Sequence, residues 1–135
     1  SDIIQKIEAS RYDDLYVKEH ECSSEEEAIA HSAWSLAREV NAKLILSTTL
    51  SGFTARMISR FRPPMPIMVT CDDECIQRQL MLSWGVIPFV LPQFKTIDQL
   101  IEASTKLVMA NKLAKKGDIC PTVLPKKSKT KYYKK

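Results

Sequence analysis

The sequence has no apolar run long enough to cross a membrane, no secretory signal and no internal repeat. A transmembrane helix needs about 20 consecutive apolar residues, and no run in this chain approaches that length. The first residues are polar with scattered isoleucines, unlike the apolar segment of a signal peptide. We therefore expect a cytoplasmic protein that has no membrane partner.

Cysteine and histidine are too scattered to predict a disulfide framework or a zinc site. Cys71 and Cys75 lie close in sequence, but no second pair completes a set of four ligands. We interpret the cysteines as reduced and structural, and we expect no metal ion and no cofactor in this chain. The four cysteines are Cys22, Cys71, Cys75 and Cys120, and the two histidines are His20 and His31.

Positive charge is concentrated at the end of the chain, although the net charge of the whole is only +4. Residues 112–135 carry nine lysines and one acid, whereas the preceding residues carry eleven basic and fifteen acidic side chains. A terminal lysine run is usually solvated, and only Tyr132 and Tyr133 could stack on bases. We predict no specific nucleic-acid partner, and a disordered lysine-rich tail over 126–135; weak polyanion binding is the alternative.

Length and composition predict one folded domain over residues 1–125. The chain has 135 residues, of which 44% are hydrophobic and 27% charged, as in ordinary globular domains. Apolar segments that end in turn residues predict short strands, with helical patterns between them. Parallel strands need such long crossovers, so we expect an α/β fold, a three-layer αβα sandwich with a mainly parallel sheet of four to five strands. The predicted strands are 43–48, 66–70 and 86–91, with a weaker fourth at 119–124.

Local signals place the helix ends and one sheet edge. Pro88 favours either a strand end or an edge position for the third strand, because proline donates no hydrogen bond to a neighbour. The first long helix has four apolar residues at helical spacing that we predict to be buried: Ile29, Ala33, Leu36 and Val40. The predicted helix caps are Ser23 or Ser24, Asp72 or Asp73, and Thr96.

The stretch LILSTTLSGFT, residues 44–54, passes from an apolar strand into a helix through five hydroxyl residues and Gly52. The first turn of a helix has unpaired N–H groups and a partial positive charge, so it attracts anions. Thr49, Ser51 and Thr54 add hydroxyl donors, and the pattern therefore predicts a site for a phosphate monoester. The alternative is that Ser51 or Thr54 only caps the helix and Gly52 only makes the turn.

Beyond this loop the sequence resembles a known family. SGFTARMISRFRPPMPIMVT resembles the carboxyl-terminal domain of pyruvate kinase, in which S-G-x-T-A-R precedes an arginine-proline turn and a short strand. The resemblance continues through EEAIAHSAWSLAREVNAKLIL, RQLMLSWGVIPFVL and KKGD, covering about residues 24–118, and the bacterial-type members are most similar. Phosphate loops of sugar-phosphate isomerase domains are a rival for the loop alone.

The resemblance implies a regulatory domain whose loop holds the phosphate of an allosteric effector. The matching positions are Thr49, Leu50, Ser51, Gly52, Phe53 and Thr54. Leu50 and Phe53 stand where the family often has basic residues, and the glycine-rich effector loop that usually follows GD is missing. Both departures argue against activation by a bisphosphate.

The resemblance also implies what this chain does in a larger enzyme. Pyruvate kinase transfers phosphate from phosphoenolpyruvate to ADP on a separate barrel that binds magnesium and potassium, and no segment here matches it. We therefore expect this chain to be inactive alone and to self-associate as a dimer, or within a tetrameric parent enzyme. The open alternatives are a stand-alone phosphosugar-binding protein and a purely self-associating domain. Arg56, Arg60 and Arg62 are interpreted as interface or turn residues, not as catalytic ones.

Overall fold

Helices and strands alternate through the part of the chain that the structure, a computed structural model, describes. The described residues are 3, 5, 6, 22–92 and 96–124, so the predicted tail over 126–135 lies outside them. The elements are α1 (Glu25–Glu39), β1 (Ile45–Thr48), α2 (Phe53–Arg60), β2 (Ile67–Cys71), α3 (Glu74–Leu80), β3 (Val86–Val90), α4 (Ile97–Ala110) and β4 (Thr122–Val123).

The four strands form one parallel sheet in the order β3-β2-β1-β4. The three strongest predicted strands are therefore confirmed as parallel, and the weaker fourth is confirmed as a short strand beside β1. Ile45 pairs with Ile67, and Ile67 pairs with Val86, so the three longer strands start level. Pro88 lies on β3, which is an edge strand of this sheet as predicted.

Helices cover both faces of the sheet, which confirms the three-layer sandwich. Alternate strand residues point to opposite faces, so Ile45 and Ile67 pack with α1, α2 and α3, whereas Leu46 and Met68 pack with α4. This arrangement follows from right-handed crossovers. The connections from β1 to β2 and from β2 to β3 run in one direction across the sheet, and the connection from β3 to β4 runs in the opposite direction.

The buried face of α1 differs from the predicted one. Ala30 and Ala37 are fully buried, whereas Ile29 is 42% exposed and Leu36 is 49% exposed. The small alanines let α1 pack closely on α2, since the distance between two helices depends on the side chains between them. The prediction used helical spacing and holds at Ala33, which is buried, but contact with a neighbouring helix favoured the smallest side chains.

The predicted helix starts are confirmed, and the structure chooses between the paired alternatives. Ser24 caps α1 by accepting a hydrogen bond from the Glu27 N–H at 3.2 Å. Asp73 caps α3, and Thr96 caps α4 by accepting from the Gln99 N–H. These caps fix where each helix begins relative to the sheet.

Candidate functional site

The loop between β1 and α2 lies at the carboxyl edge of the sheet, beside the point where the chain changes direction. The connection from β1 to β2 crosses one face of the sheet. The connection into β4, which lies on the other side of β1, crosses the opposite face. In open parallel sheets such a switch point leaves a crevice where ligands bind. The predicted phosphate loop therefore stands at the position that the topology favours.

Three of the five hydroxyl residues in this stretch are inside the protein. Ser47, Thr48 and Thr49 are at most 7% exposed. Thr48 and Thr70 share a hydrogen bond between their hydroxyls at 2.9 Å, and Thr49 Oγ1 accepts from the Gly52 N–H at 2.9 Å. The hydroxyls of Thr48 and Thr49 therefore stabilise the loop, whereas the buried Ser47 Oγ has no hydrogen-bond partner among the described residues. Ser51 and Thr54 are the two hydroxyl residues with solvent access.

Gly52 has a conformation and a packing environment that exclude other residues. Its φ of +76° lies in the left-handed region, which is costly for residues with a side chain. A Cβ atom at Gly52 would lie 3.3 Å from Ile76 Cγ2 and 3.3 Å from Leu80 Cδ2, both on α3. Part of the reason for a glycine here is thus the close packing of the loop on α3.

The first turn of α2 has free hydrogen-bond donors. The N-cap is Gly52, with no side-chain hydrogen bond of its own, so neither Ser51 nor Thr54 is the helix cap. Ser51 Oγ accepts from the Phe53 N–H at a long 3.4 Å. Within the described residues, the N–H groups of Thr54 and Ala55 have no acceptor. Ser51 therefore bonds the first N–H of the helix, as the capping alternative expects, while the N–H groups of Thr54 and Ala55 remain as donors.

Arg56 adds a positive charge to the loop that sequence reasoning placed elsewhere. Its Nη2 donates to the Ser51 carbonyl oxygen at 3.2 Å, and its Nη1 lies 3.2 Å from where a Cβ of Gly52 would be. The interpretation of Arg56 as an interface or turn residue did not include this contact with the loop. Its spacing of four residues from Gly52 is the signal that could have found it, because helical side chains point back toward the N-terminus.

The other two arginines lie away from the loop. Arg60 Nη1 is 3.6 Å from Met57 Sδ, and the Arg62 guanidinium lies 4.9 Å from the centre of the Trp84 ring. Arg62 and Trp84 join the end of α2 to the turn before β3, which fits the predicted role of Arg62 in the arginine-proline turn.

Apolar and acidic residues surround the loop. Leu50 is half-buried and Phe53 is 44% exposed, so both positions offer hydrocarbon where a cation was expected from the family. Asp72, Asp73 and Glu74 are exposed at the end of β2, on the same edge of the sheet. The loop therefore presents N–H and hydroxyl donors and little net positive charge.

Elsewhere among the described residues, neither the cysteines nor the acidic and histidine side chains form a comparable site. None of the four cysteines is in a disulfide, and burial raises the pKa of the Cys71 thiol, which disfavours a reactive thiolate. In the described ranges no cluster of acidic, cysteine or histidine side chains could hold a metal ion, and no helix there is long and apolar enough to span a membrane.

The chain was compared with models of protein families. The model of the pyruvate kinase alpha/beta domain matches residues 27–126. The curated relatives include pyruvate kinase from Lactococcus lactis, 36% identical over 79% of this chain, and pyruvate kinase from Eimeria tenella, 38% identical over 69% of it. The matched segment is 21% of the Lactococcus protein and 18% of the Eimeria protein, so the chain matches about a fifth of these relatives' length.

Solved structures give the same family. A crystal structure of Cryptosporidium parvum pyruvate kinase superposes with a TM-score of 0.74 at 33% identity, covering 78% of this chain and 22% of that one. The Cryptosporidium parvum enzyme in complex with ADP gives a TM-score of 0.76 at 32% identity, covering 88% of this chain and 24% of that one.

Proposed function

The chain belongs to the pyruvate kinase family, and we propose that it is a regulatory and oligomerisation domain that binds a phosphorylated effector at residues 49–54. The parent enzyme would be a cytoplasmic, glycolytic transferase that moves phosphate from phosphoenolpyruvate to ADP. Its catalytic site, with magnesium and potassium, would lie in another part of that protein. The chain's own role would be to couple effector binding to assembly.

One observation carries the effector proposal: donors of three kinds lie at the first turn of α2. They are the N–H groups of Thr54 and Ala55, the accessible hydroxyls of Ser51 and Thr54, and the Arg56 guanidinium. A hydrogen bond to a charged acceptor contributes about 1.5–3 kcal/mol. Two or three such bonds would hold a phosphate against the repulsion of the nearby acids.

The charge around the loop favours a sugar monophosphate over a bisphosphate. One guanidinium faces the loop, and Leu50 and Phe53 add none. A second phosphate would meet the edge that carries Asp72, Asp73 and Glu74. We therefore rank ribose 5-phosphate, glucose 6-phosphate and AMP above fructose 1,6-bisphosphate.

Binding should stabilise the fold in a measurable way. At 100 times the dissociation constant, a ligand that binds only the folded state adds about 2.7 kcal/mol, or a melting-temperature rise on the order of 10 °C. Ser51→Ala and Thr54→Ala should each weaken binding about tenfold, which corresponds to ~1.4 kcal/mol. Calorimetry and thermal shift with the four phosphorylated compounds and sulfate provide the measurement.

Matched controls come from hydroxyl residues outside the site. Ser32 and Thr105 are exposed, and each donates its hydroxyl to a carbonyl four residues earlier in its own helix. Ser32→Ala and Thr105→Ala should leave binding unchanged. If a folded sample shows neither heat nor a shift with millimolar ligand, Gly52 and Thr49 serve the turn alone, and the domain is a purely self-associating one.

Self-association is supported by apolar side chains that the described structure leaves exposed. Ile29 and Leu36 lie on α1, while Ile97, Ile101 and Met109 lie on α4, and each is at least 38% exposed. We expect a dimer in sedimentation velocity at high micromolar concentration. A single monomeric species would contradict this part of the proposal.

A stand-alone phosphosugar-binding protein is the alternative to a domain of a larger enzyme. The coding sequence upstream of residue 1 distinguishes these two functions.

A further inference from the structure

Strand β3 has the composition of a strand that pairs readily with other chains. Its sequence, Val-Ile-Pro-Phe-Val, carries no charge, and it lies at an edge of the sheet. Exposed apolar edge strands are sites of unwanted pairing and aggregation, and proteins protect them by proline, by charge or by cover. This edge has no lysine or acid within the strand, so charge does not protect it.

The hydrogen bonds to β2 show which backbone groups of β3 point outward. Ile67 N–H donates to the Gly85 carbonyl at 2.8 Å, and Leu91 N–H donates to the Cys71 carbonyl at 2.8 Å. Backbone groups of successive strand residues point to opposite sides, so residues 85, 87, 89 and 91 face β2. The outward residues are Val86, Pro88 and Val90.

Half of the six outward backbone positions are closed to an incoming strand. The Val86 N–H already donates to the Ser83 carbonyl at 3.3 Å. Pro88 has no N–H to give. The Pro88 carbonyl accepts a hydrogen bond at 3.2 Å from Nε2 of Gln77, a half-buried residue of α3. The middle of the edge, where a pairing strand would need bonds most, therefore offers no donor, and its carbonyl already accepts a hydrogen bond from the Gln77 side chain.

We infer that Gln77 and Pro88 block this edge, and that they prevent β3 of one copy from pairing with β3 of a second copy. An antiparallel pair of β3 strands about a two-fold axis would place the two Pro88 residues near its centre, so each closed position is lost twice. The domain's self-association must then use other surfaces, such as the exposed faces of α1 and α4. The inference concerns the sheet edge alone and does not depend on effector binding.

The test is to reopen the edge and measure association. Gln77→Ala frees the Pro88 carbonyl, and Pro88→Val restores an N–H at the same residue. Each backbone hydrogen bond contributes a factor of about five, and the reopened N–H and carbonyl groups of two copies can form two such bonds, so we expect the double variant to associate about 25-fold more tightly than the parent. Sedimentation velocity over a concentration series gives this ratio, whatever the parent's own oligomeric state.

A second readout locates the new contact. In the double variant, the amide of residue 88 should become protected from hydrogen exchange as protein concentration rises. Association through α1 or α4 would leave that amide unprotected. Gln79→Ala is the control on the same helix, because the exposed Gln79 amide contacts only Cys75 Sγ at 4.0 Å among the described residues. Pro64→Val, at an exposed proline outside the strands, controls for the loss of a proline.

The single variant Gln77→Met keeps the test decisive if Pro88→Val does not fold. It preserves the length of the side chain, removes the donor and should tighten association about fivefold. Folded Gln77 and Pro88 variants that associate no more tightly than the parent, with residue 88 unprotected, would overturn the inference. Tighter association in the Gln79→Ala control as well would also overturn it.

Discussion

Replacing Gly52 with alanine should lower the free energy of unfolding by about 3 kcal/mol. Two costs combine: a left-handed conformation costs a residue with a side chain about 1–2 kcal/mol, and crowding in a packed region costs about 1–3 kcal/mol. The crowding arises because the new Cβ would be 3.3 Å from Ile76 and Leu80. Urea denaturation at 25 °C measures the loss.

Gly85→Ala separates the two costs. Gly85 also has a positive φ, +65°, but nothing lies within 4 Å of the position of its Cβ. We expect this variant to lose only the conformational part, about 1–2 kcal/mol. Equal losses in the two variants would mean that the loop is loosely packed on α3. Close packing would then not explain why residue 52 is a glycine.

The second large effect is expected at Leu80, with Leu82 as its control. Leu80 is 0% exposed in the core between α3 and the sheet, whereas Leu82 is 92% exposed. Leu80→Ala leaves a cavity and should cost about 2–5 kcal/mol, while Leu82→Ala should change stability by less than about 0.5 kcal/mol. Similar losses at both residues would contradict this placement of α3.

Leu80→Ala should also relieve part of the Gly52→Ala defect, since Leu80 Cδ2 is one of the atoms that the new Cβ would meet. The double variant should therefore lose less stability than the sum of the two single variants, by about 1 kcal/mol. Strict additivity would show that the two residues do not touch in solution.

Most of the architecture was predictable because its signals are local. The alternation of short apolar runs with helical patterns was sufficient to predict a parallel sheet between helices. Ser24 and Thr96 marked the helix starts, because a cap bonds to N–H groups only three residues away. Pro88 marked the edge, because a proline inside the sheet would leave a neighbouring carbonyl without its donor.

The features that were mispredicted or missed depend on contacts between distant residues. The sequence shows that α1 is amphipathic, but the choice of Ala30 over Ile29 as a buried residue depends on how closely α2 approaches. The sequence identifies Gly52 only as a turn glycine, because its contact with Leu80, which is distant along the chain, is visible only in the structure. Arg56 was missed because its contact with Ser51 depends on the direction of a long side chain.

Helix α2 is held at both of its ends, and this affects the entropy cost of binding any ligand at its first turn. At the start, Gly52 packs on α3; at the far end, Ser59 Oγ donates to the Trp84 carbonyl at 2.8 Å and Arg62 covers the Trp84 ring. A helix fixed in this way keeps its leading N–H groups pointed at one place before a ligand arrives. The loop then loses little conformational entropy if the proposed anion binds. A site with little positive charge would therefore keep most of the free energy of its few hydrogen bonds.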